Sequence, residues 1–373
     1  MKTIRLAFVA ALALSLLPPE ATAQGLFGGL KQGGKKTEGG ASGPVDSSIN
    51  DTARYLGGLT GSSRGELPVT RASAEWKTHQ GRMDSLWNQH SGLRGKLQGF
   101  KGQLSGLTAP GVLFYPFGGP DYIHASVLFP GASSYVLVGL EGTEAMPDLA
   151  KLSATDLTHG INGVANSLRT VMGASYFITT EMRADLGATS LKGTLPLLLA
   201  QVARQGQSVS SVEAISLDGG GNVVPRSGTC PGWLIKAGGK NIYYFRQDLS
   251  NGGLGDGRIL TFVSRQGGPV TFVKSASYLM HQGDFSKIRE FVATKSRGIV
   301  QDPSGVPFAN LVAAGWKLAL YGNYVAPLDT FASHPQPDLV TAYTSGSYPV
   351  KPLTFGLGYL LDPKKTSIIV ARR

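Results

Sequence analysis

The chain has 373 residues, of which 42% are hydrophobic and 16% are charged, a balance that is typical of a folded globular protein and excludes a disordered one. The net charge of +11 favours anionic surroundings, but the basic residues are scattered without a nucleic-acid-binding motif, so no nucleic-acid partner is expected. The single cysteine, Cys230, excludes an internal disulfide, and no neighbouring base activates its thiol.

The first 23 residues are predicted to form a cleavable secretory signal peptide. Lys2 and Arg5 give a positive start, and residues 6–17 form a predominantly apolar run of 12 residues. The small residues at 21–23 are those that signal peptidase reads, so we expect cleavage after Ala23 and a periplasmic or secreted protein. The apolar run is shorter than the roughly 20 residues that span a bilayer, so no transmembrane anchor is predicted.

Two segments precede the main domain. Residues 24–50 are rich in Gly, Ser and Lys, a composition that predicts a flexible arm. Residues 51–107 are predicted to be a helical segment that docks on the main domain, because apolar residues recur there along one stripe: Trp76, Met83, Trp87, Leu93, Leu97, Phe100 and Leu104. Glycines at 92, 95, 99 and 102 either weaken this helix or allow close packing against another element.

Residues 108–373 alternate between strand-like and helix-like segments, which predicts an α/β domain. Strands are expected at 112–115, 135–140, 176–180, 209–217, 234–237, 242–245 and 270–273, and helices at 121–129, 155–171, 191–203 and 286–294. Such alternation predicts a Rossmann-like, mostly parallel sheet, with the two strands around Gly238 and Gly239 forming a hairpin. The C-terminal segments 316–321, 354–361 and 368–371 are expected to add antiparallel edge strands.

The first candidate site follows the strand at 112–115. Tyr115, Gly118, Gly119 and Asp121 form a glycine turn into a helix, and Glu141 lies 22 residues after Gly119. In nucleotide-binding units the glycines let the backbone approach the ligand, and an acid about 20 residues on binds ribose hydroxyls. Residues 111–141 resemble the first βαβ unit of class I S-adenosylmethionine-dependent methyltransferases. Because that cofactor is cytoplasmic and the chain is predicted to be exported, we expect the scaffold without the cofactor.

The second candidate site lies after the strand at 270–273, where the pattern of residues 112–141 is repeated. Each strand leads into a small-residue turn and then a histidine (His124 and His281), and a second strand ends before an acid (Glu141 and Asp302). Lys274 and Ser277 would share one face if the segment were helical; alternatively, Ser275 or Ser277 caps a strand-to-helix turn. Asp302 either begins an ordinary turn or lines a ligand-binding crevice at the carboxyl end of a strand.

Several strings across residues 111–361 resemble an uncharacterised group of exported bacterial proteins. They are YPFGGPDY and YVLVGLE, then KSASYLMH, QDPSGVPF and LYGNYVAPLDTF. This resemblance implies export and a shared fold, and it implies no activity.

The functional expectation is a periplasmic or envelope-associated binding module for a small molecule or an anionic envelope component. The alternative is a secreted enzyme, either a hydrolase of envelope material or a divergent transferase, with His124 or His281 bonded to a carboxylate or hydroxyl in the same cleft. A third possibility is a structural role in which the Gly- and Lys-rich arm contacts an anionic surface. The six dispersed histidines lack metal-ligand spacing, so no metal is predicted.

Overall fold

The computed structural model describes residues 47–61, 67–109, 111–174, 176, 179–359 and 361–373, which all lie within a single compact unit. The predicted signal peptide and most of the predicted arm lie outside the described residues. Residues 47–50, which are predicted to belong to the arm, instead begin the first helix. The α-helices are α1 (Ser47–Leu56), α2 (Ala74–Gln89), α3 (Ser91–Phe100), α4 (Tyr122–Leu128), α5 (Ala154–Ala174), α6 (Thr179–Gly187), α7 (Leu195–Arg204), α8 (Arg258–Arg265), α9 (Ser286–Lys295), α10 (Phe308–Ala313) and α11 (Pro337–Thr344).

The described strands join into one 11-stranded sheet in the order β10-β9-β11-β8-β7-β1-β2-β6-β5-β3-β4. The strands are β1 (Val112–Tyr115), β2 (Ser134–Gly139), β3 (Val209–Leu217), β4 (Val223–Pro225), β5 (Gly232–Ala237), β6 (Lys240–Arg246), β7 (Val270–Val273), β8 (Gly298–Gln301), β9 (Lys317–Gly322), β10 (Val350–Lys351) and β11 (Ser367–Arg372). The α/β class is therefore confirmed.

The centre of the sheet consists of five parallel strands, β8-β7-β1-β2-β6. Beyond β6, the strands β5, β3 and β4 pair antiparallel, and the predicted hairpin is confirmed as β5 and β6. On the other side, β11 lies antiparallel between β8 and β9. Successive strands are thus added to the sheet on one side of β1 and later on its other side.

Both faces of the central sheet are covered, as the apolar character of its strands requires. All four residues of β1 are buried, and alternate side chains enter different cores. Leu113 and Tyr115 belong to the core that includes α1 to α7. Val112 and Phe114 belong to the core that includes α8 to α11. This alternation explains why the strand reads as a continuous apolar run.

The N-terminal helical segment breaks at His90 into α2 and α3. The stripe residues Trp76, Met83 and Leu97 are buried in the first core, and α1, α2 and α3 pack on α7, α5 and α4. A methyl group added at Gly92, Gly95, Gly99 or Gly102 would meet no atom within 4 Å. The alternative that these glycines permit close packing is therefore wrong.

Two predicted strands are wrong. Of the segment expected at 176–180, Thr179 and Thr180 instead begin α6. The segment expected at 354–361 is irregular, because Gly358 has a φ of +75° and Gly356 packs directly against the backbone of Leu361. Aromatic and β-branched residues suggested a strand in both places, but a helix begins at Thr179 and glycines shape the backbone around Gly356 and Gly358.

Replacement of two helical glycines by alanine is expected to change the stability of the fold in opposite directions. Gly95 in α3 is exposed with open space beside it, so Gly95→Ala is expected to raise the free energy of unfolding by about 0.5–1 kcal/mol. Gly163 in α5 is buried, and its added methyl would lie 2.6 Å from the backbone oxygen of Asp185, so Gly163→Ala is expected to lower it. Urea denaturation of the two variants measures both effects. Equal effects of the same sign would contradict the packing described here.

Candidate functional site

The candidate site lies at the carboxyl edge of the parallel strands, where the direction of strand addition reverses between β1 and β7. Ligands of open α/β sheets bind in the crevice outside the strand ends at such a reversal. Tyr115 ends β1, Lys274 follows β7 and Asp302 follows β8. Most of the candidate residues from both halves of the chain therefore meet along this edge.

A buried ion-pair cluster, consisting of Tyr115, Asp121, His124 and Lys274, fills the reversal point. Asp121 caps α4 and accepts a hydrogen bond from the backbone N–H of His124. The Oδ2 atom of Asp121 also accepts from Lys274 Nζ at 2.7 Å and from the Tyr115 hydroxyl at 3.0 Å. All four side chains are almost completely buried. They are not among the residues that line the cavity described below, so they do not form the open cleft expected from the sequence.

His124 extends this cluster to a residue that the sequence did not single out. Its Nδ1 lies 2.8 Å from Asp121 Oδ1, and its Nε2 lies 3.3 Å from Nε2 of buried His90. Donation of the Nδ1 proton to the carboxylate leaves His124 Nε2 to accept from His90. The two rings meet edge to face with centroids 5.2 Å apart. His90 ends α2, so this contact joins the N-terminal helices to α4.

The charges of the cluster balance each other in a medium that solvates them poorly. Burial alone would raise the pKa of Asp121, but the hydrogen bond from His124 and the ammonium of Lys274 outweigh burial and lower that pKa. Burial lowers the pKa of Lys274, and Asp121 opposes this effect. Burial lowers the pKa of His124 and lowers that of His90 to about 3, so both imidazoles are neutral near pH 7. The cluster thus holds one ammonium against one carboxylate.

The glycine turn after β1 is filled by the protein's own side chains. A methyl group at Gly118 would overlap the Tyr115 ring, and one at Gly119 would lie 3.1 Å from Oε2 of Glu141. The same oxygen accepts from the Tyr244 hydroxyl at 3.0 Å, and Glu141 is 3% exposed. The carboxylate that a nucleotide-binding unit would offer to a ribose is folded back onto the turn. The S-adenosylmethionine that the resemblance implies therefore does not fit.

The segment from Lys274 to Tyr278 is not helical, which corrects the expectation that Lys274 and Ser277 share a helix face. Ser275, Ser277 and Tyr278 have φ values of +54°, +52° and +54°, a region that residues other than glycine rarely adopt. Ser277 Oγ lies 2.6 Å from the Tyr359 hydroxyl, which itself donates to the Ser275 carbonyl at 2.9 Å. The short 3-10 helix that follows has no side-chain cap, so the serine-cap alternative is also wrong.

Asp302 stabilises two neighbouring loops from the end of β8. Its Oδ2 accepts from the Ser275 backbone N–H at 3.0 Å, and its Oδ1 accepts from the Ser304 backbone N–H and hydroxyl at 3.0 and 2.5 Å. Asp302 is 2% exposed, and burial raises its pKa against the opposing hydrogen bonds of Ser304. Its carboxylate therefore forms the turn that its sequence predicted and also borders a cavity.

We call this space the tyrosine cavity. It is a small, partly open cavity of about 20 Å³ at the carboxyl edge beside β8 and β11, and four rings line it: Tyr278, Tyr324, Phe331 and Tyr359. Asp302 and Ser304 supply buried polar groups to its wall, and half-buried Leu328 adds an aliphatic contact. Asp302 is the one residue of the proposed binding set that borders it. Tyr278 belongs to the KSASYLMH string, and Tyr324 and Phe331 belong to the LYGNYVAPLDTF string. Tyr359 lies outside both strings.

His281 does not join His124. Its ring packs against Tyr278 at a centroid distance of 5.0 Å and lies 6.0 Å from that of His334. Burial lowers the pKa of His281 to about 4, and the neighbouring His334 acts in the same direction. The two histidines of the repeated pattern therefore have different environments: one belongs to the ion-pair cluster and the other supports a wall of the tyrosine cavity.

Comparison with protein-family models, with curated proteins and with solved structures finds no significant match for this chain. None of the helices in the described ranges is long and apolar enough to cross a membrane. Within the same ranges, no group of three or more His, Cys, Asp or Glu side chains is arranged to hold a metal ion.

Removal of Lys274 is expected to destabilise the fold strongly, because Asp121 would lose its buried ammonium. We expect Lys274→Met to lower the free energy of unfolding by about 3–5 kcal/mol. The double variant Asp121→Asn with Lys274→Met is expected to cost less than the sum of the single variants, because neither charge is then left alone. Urea denaturation measures these differences.

A matched control is the half-exposed pair Lys236 and Glu213, whose charged atoms lie 3.0 Å apart. Lys236→Met is expected to change the free energy of unfolding by no more than about 1 kcal/mol, because solvent screens this pair. A Lys274→Met variant as stable as Lys236→Met would show that the buried pair does not stabilise the fold.

Proposed function

We propose that the chain is an exported binding module on a Rossmann-like scaffold and that it takes a small ligand in the tyrosine cavity. The observation that carries this proposal is the cavity itself, which combines aromatic walls with the buried carboxylate of Asp302 at the carboxyl edge of a parallel sheet. Small-molecule sites are typically concave and largely apolar, with a few placed polar groups. The tyrosine cavity has this composition.

The strand order supports the scaffold part of the proposal. Counted along the chain, the central parallel strands β1, β2, β6, β7 and β8 lie in the order third, second, first, fourth, fifth, which is the order of the doubly wound dinucleotide-binding fold. The resemblance of residues 111–141 to methyltransferases agrees with this order. Because Glu141 and Tyr115 fill the glycine turn, we propose the scaffold without a nucleotide cofactor.

The enzyme alternative requires a histidine that is bonded to a carboxylate or hydroxyl, and the hydrogen bond between His124 and Asp121 meets this requirement. A general base must reach the proton that it removes from a substrate. Both residues have 0% exposure and lie outside the wall of the tyrosine cavity, so a substrate bound there would not meet them. This geometry favours binding over catalysis.

The predicted signal peptide supports the proposal that the chain is exported. The N-terminal residue of the secreted chain tests this part of the proposal. In a Gram-negative host, the full-length chain is expected to be recovered from the periplasm or the medium with Gln24 as its first residue. N-terminal sequencing and intact-mass measurement check this expectation. Replacement of Leu12 and Leu14 by Arg should leave the chain uncleaved in the cytoplasm, because it interrupts the apolar run. Periplasmic recovery of an uncleaved wild-type chain would contradict cleavage after Ala23.

Obstruction of the tyrosine cavity is expected to abolish ligand binding and leave the fold intact. A thermal-shift screen of the mature chain with small metabolites and envelope fragments should give hits, since a ligand at 100 times its Kd stabilises by about 2.7 kcal/mol. Leu328→Trp, which adds bulk at a half-buried position of the wall, should remove these shifts. Val312→Trp is the matched control, because Val312 is 45% exposed on α10. Hits that persist in Leu328→Trp would place binding elsewhere.

A further inference from the structure

The charges beside the tyrosine cavity do not balance. Asp121 and Asp302 are both buried carboxylates, and Lys274 lies next to them with its Nζ 2.7 Å from Asp121. The three donors to the Asp302 carboxylate described above are all uncharged, being two backbone N–H groups and one hydroxyl. Buried charges are normally paired, because transfer of an unpaired charge from water is costly. The carboxylate at the cavity therefore requires a positive partner or a proton.

The cavity places aromatic faces beside that carboxylate. The Phe331 ring lies between Tyr278 and Tyr359, with centroid distances of 5.1 and 4.9 Å and interplanar angles of 41° and 50°. The three rings thus form a curved wall rather than a flat stack. Aromatic faces attract cations within about 6 Å of the ring centre, and quaternary ammonium groups are recognised in this way.

The wall has been assembled at a cost to the backbone. Tyr278 itself has a φ of +54°, and Tyr359 is held by hydrogen bonds with Ser277 and Ser275, which also have positive φ values. Such conformations persist where the surrounding structure enforces them, and they occur often at ligand-binding sites. Here they orient two of the three rings of the wall and the backbone N–H of Ser275 that binds Asp302.

If the tyrosine cavity binds a ligand, as the proposed function requires, we propose that this ligand is a small organic cation with an alkylated ammonium group. Asp302 supplies the counter-charge, and Tyr278, Phe331 and Tyr359 supply the ring faces. A bare metal ion is a poorer occupant because the wall offers one carboxylate among apolar surfaces. A neutral sugar would stack on the rings and leave the charge of Asp302 uncompensated. Burial raises the pKa of Asp302, and a bound cation would oppose that rise.

Choline and its neutral isostere 3,3-dimethylbutan-1-ol test this proposal, since they differ in charge and have nearly the same shape. Isothermal titration of the mature chain is expected to show choline binding at least tenfold more tightly than the isostere. Tetramethylammonium should compete with choline. Asp302→Asn is expected to weaken choline binding at least tenfold and to leave binding of the isostere unchanged.

Phe331→Leu keeps an apolar side chain of similar bulk and removes a ring face, so it should weaken choline binding several-fold. Phe285→Leu is the matched control, because Phe285 packs on Phe117 in another part of the chain and should not affect binding. Asp302→Asn loses charge-assisted hydrogen bonds to two loops and could therefore fail to fold. In that case Phe331→Leu, together with the comparison of choline and its isostere, decides whether the cavity binds a cation.

The outcomes separate this inference from the proposed function. Equal affinities for choline and the isostere, both lost in Leu328→Trp, would overturn the cation assignment and support a neutral-ligand module. Binding of sugars or other neutral metabolites alone would do the same. No cavity-dependent binding by tetramethylammonium, choline or any compound of the thermal-shift screen would overturn both proposals.

Discussion

The ion pair between Lys274 and Asp121 is the interaction on which the arrangement of the site depends. It joins the loop after β7 to the N-terminus of α4 at the point where strand addition reverses. Because both groups are buried, each needs the other, and Tyr115 and His124 complete the hydrogen bonds of the carboxylate. The position where open α/β sheets leave a crevice is therefore occupied by a polar network. The tyrosine cavity lies to one side of it.

The glycine turn shows the same principle of internal filling. Glu141 folds back toward Gly119 and Tyr244, and the ring of Tyr115 covers Gly118. The glycines are still needed, because a larger residue would displace these side chains. In this chain the two glycines make room for packed side chains. A glycine turn at the end of a parallel strand therefore does not imply a nucleotide, since the fold and the site are separate properties.

The tyrosine cavity arises one strand further along, where four loops converge. Asp302 after β8 binds the backbone of the loop after β7, and that loop is bonded through Ser277 to Tyr359 near the C-terminus. The segment containing Phe331 supplies the remaining wall. Positive φ values in the middle of this arrangement are maintained by contacts from other loops. The cavity is thus a product of several distant segments, and none of them would form it alone.

The sequence by itself determined the alternation of helices and strands, the buried character of β1 and β2, and the positions of Asp121, Lys274 and Asp302 at element ends. These features follow from local periodicity and from turn residues, which operate over a few positions. Only the tertiary structure decided that Lys274 pairs with Asp121, that His90 meets His124, and that Glu141 fills the glycine turn. It also placed Tyr324, Phe331 and Tyr359 around Asp302. Those contacts join residues up to 153 positions apart, and their energies depend on burial and mutual geometry, which the spacing of residues along the chain does not contain.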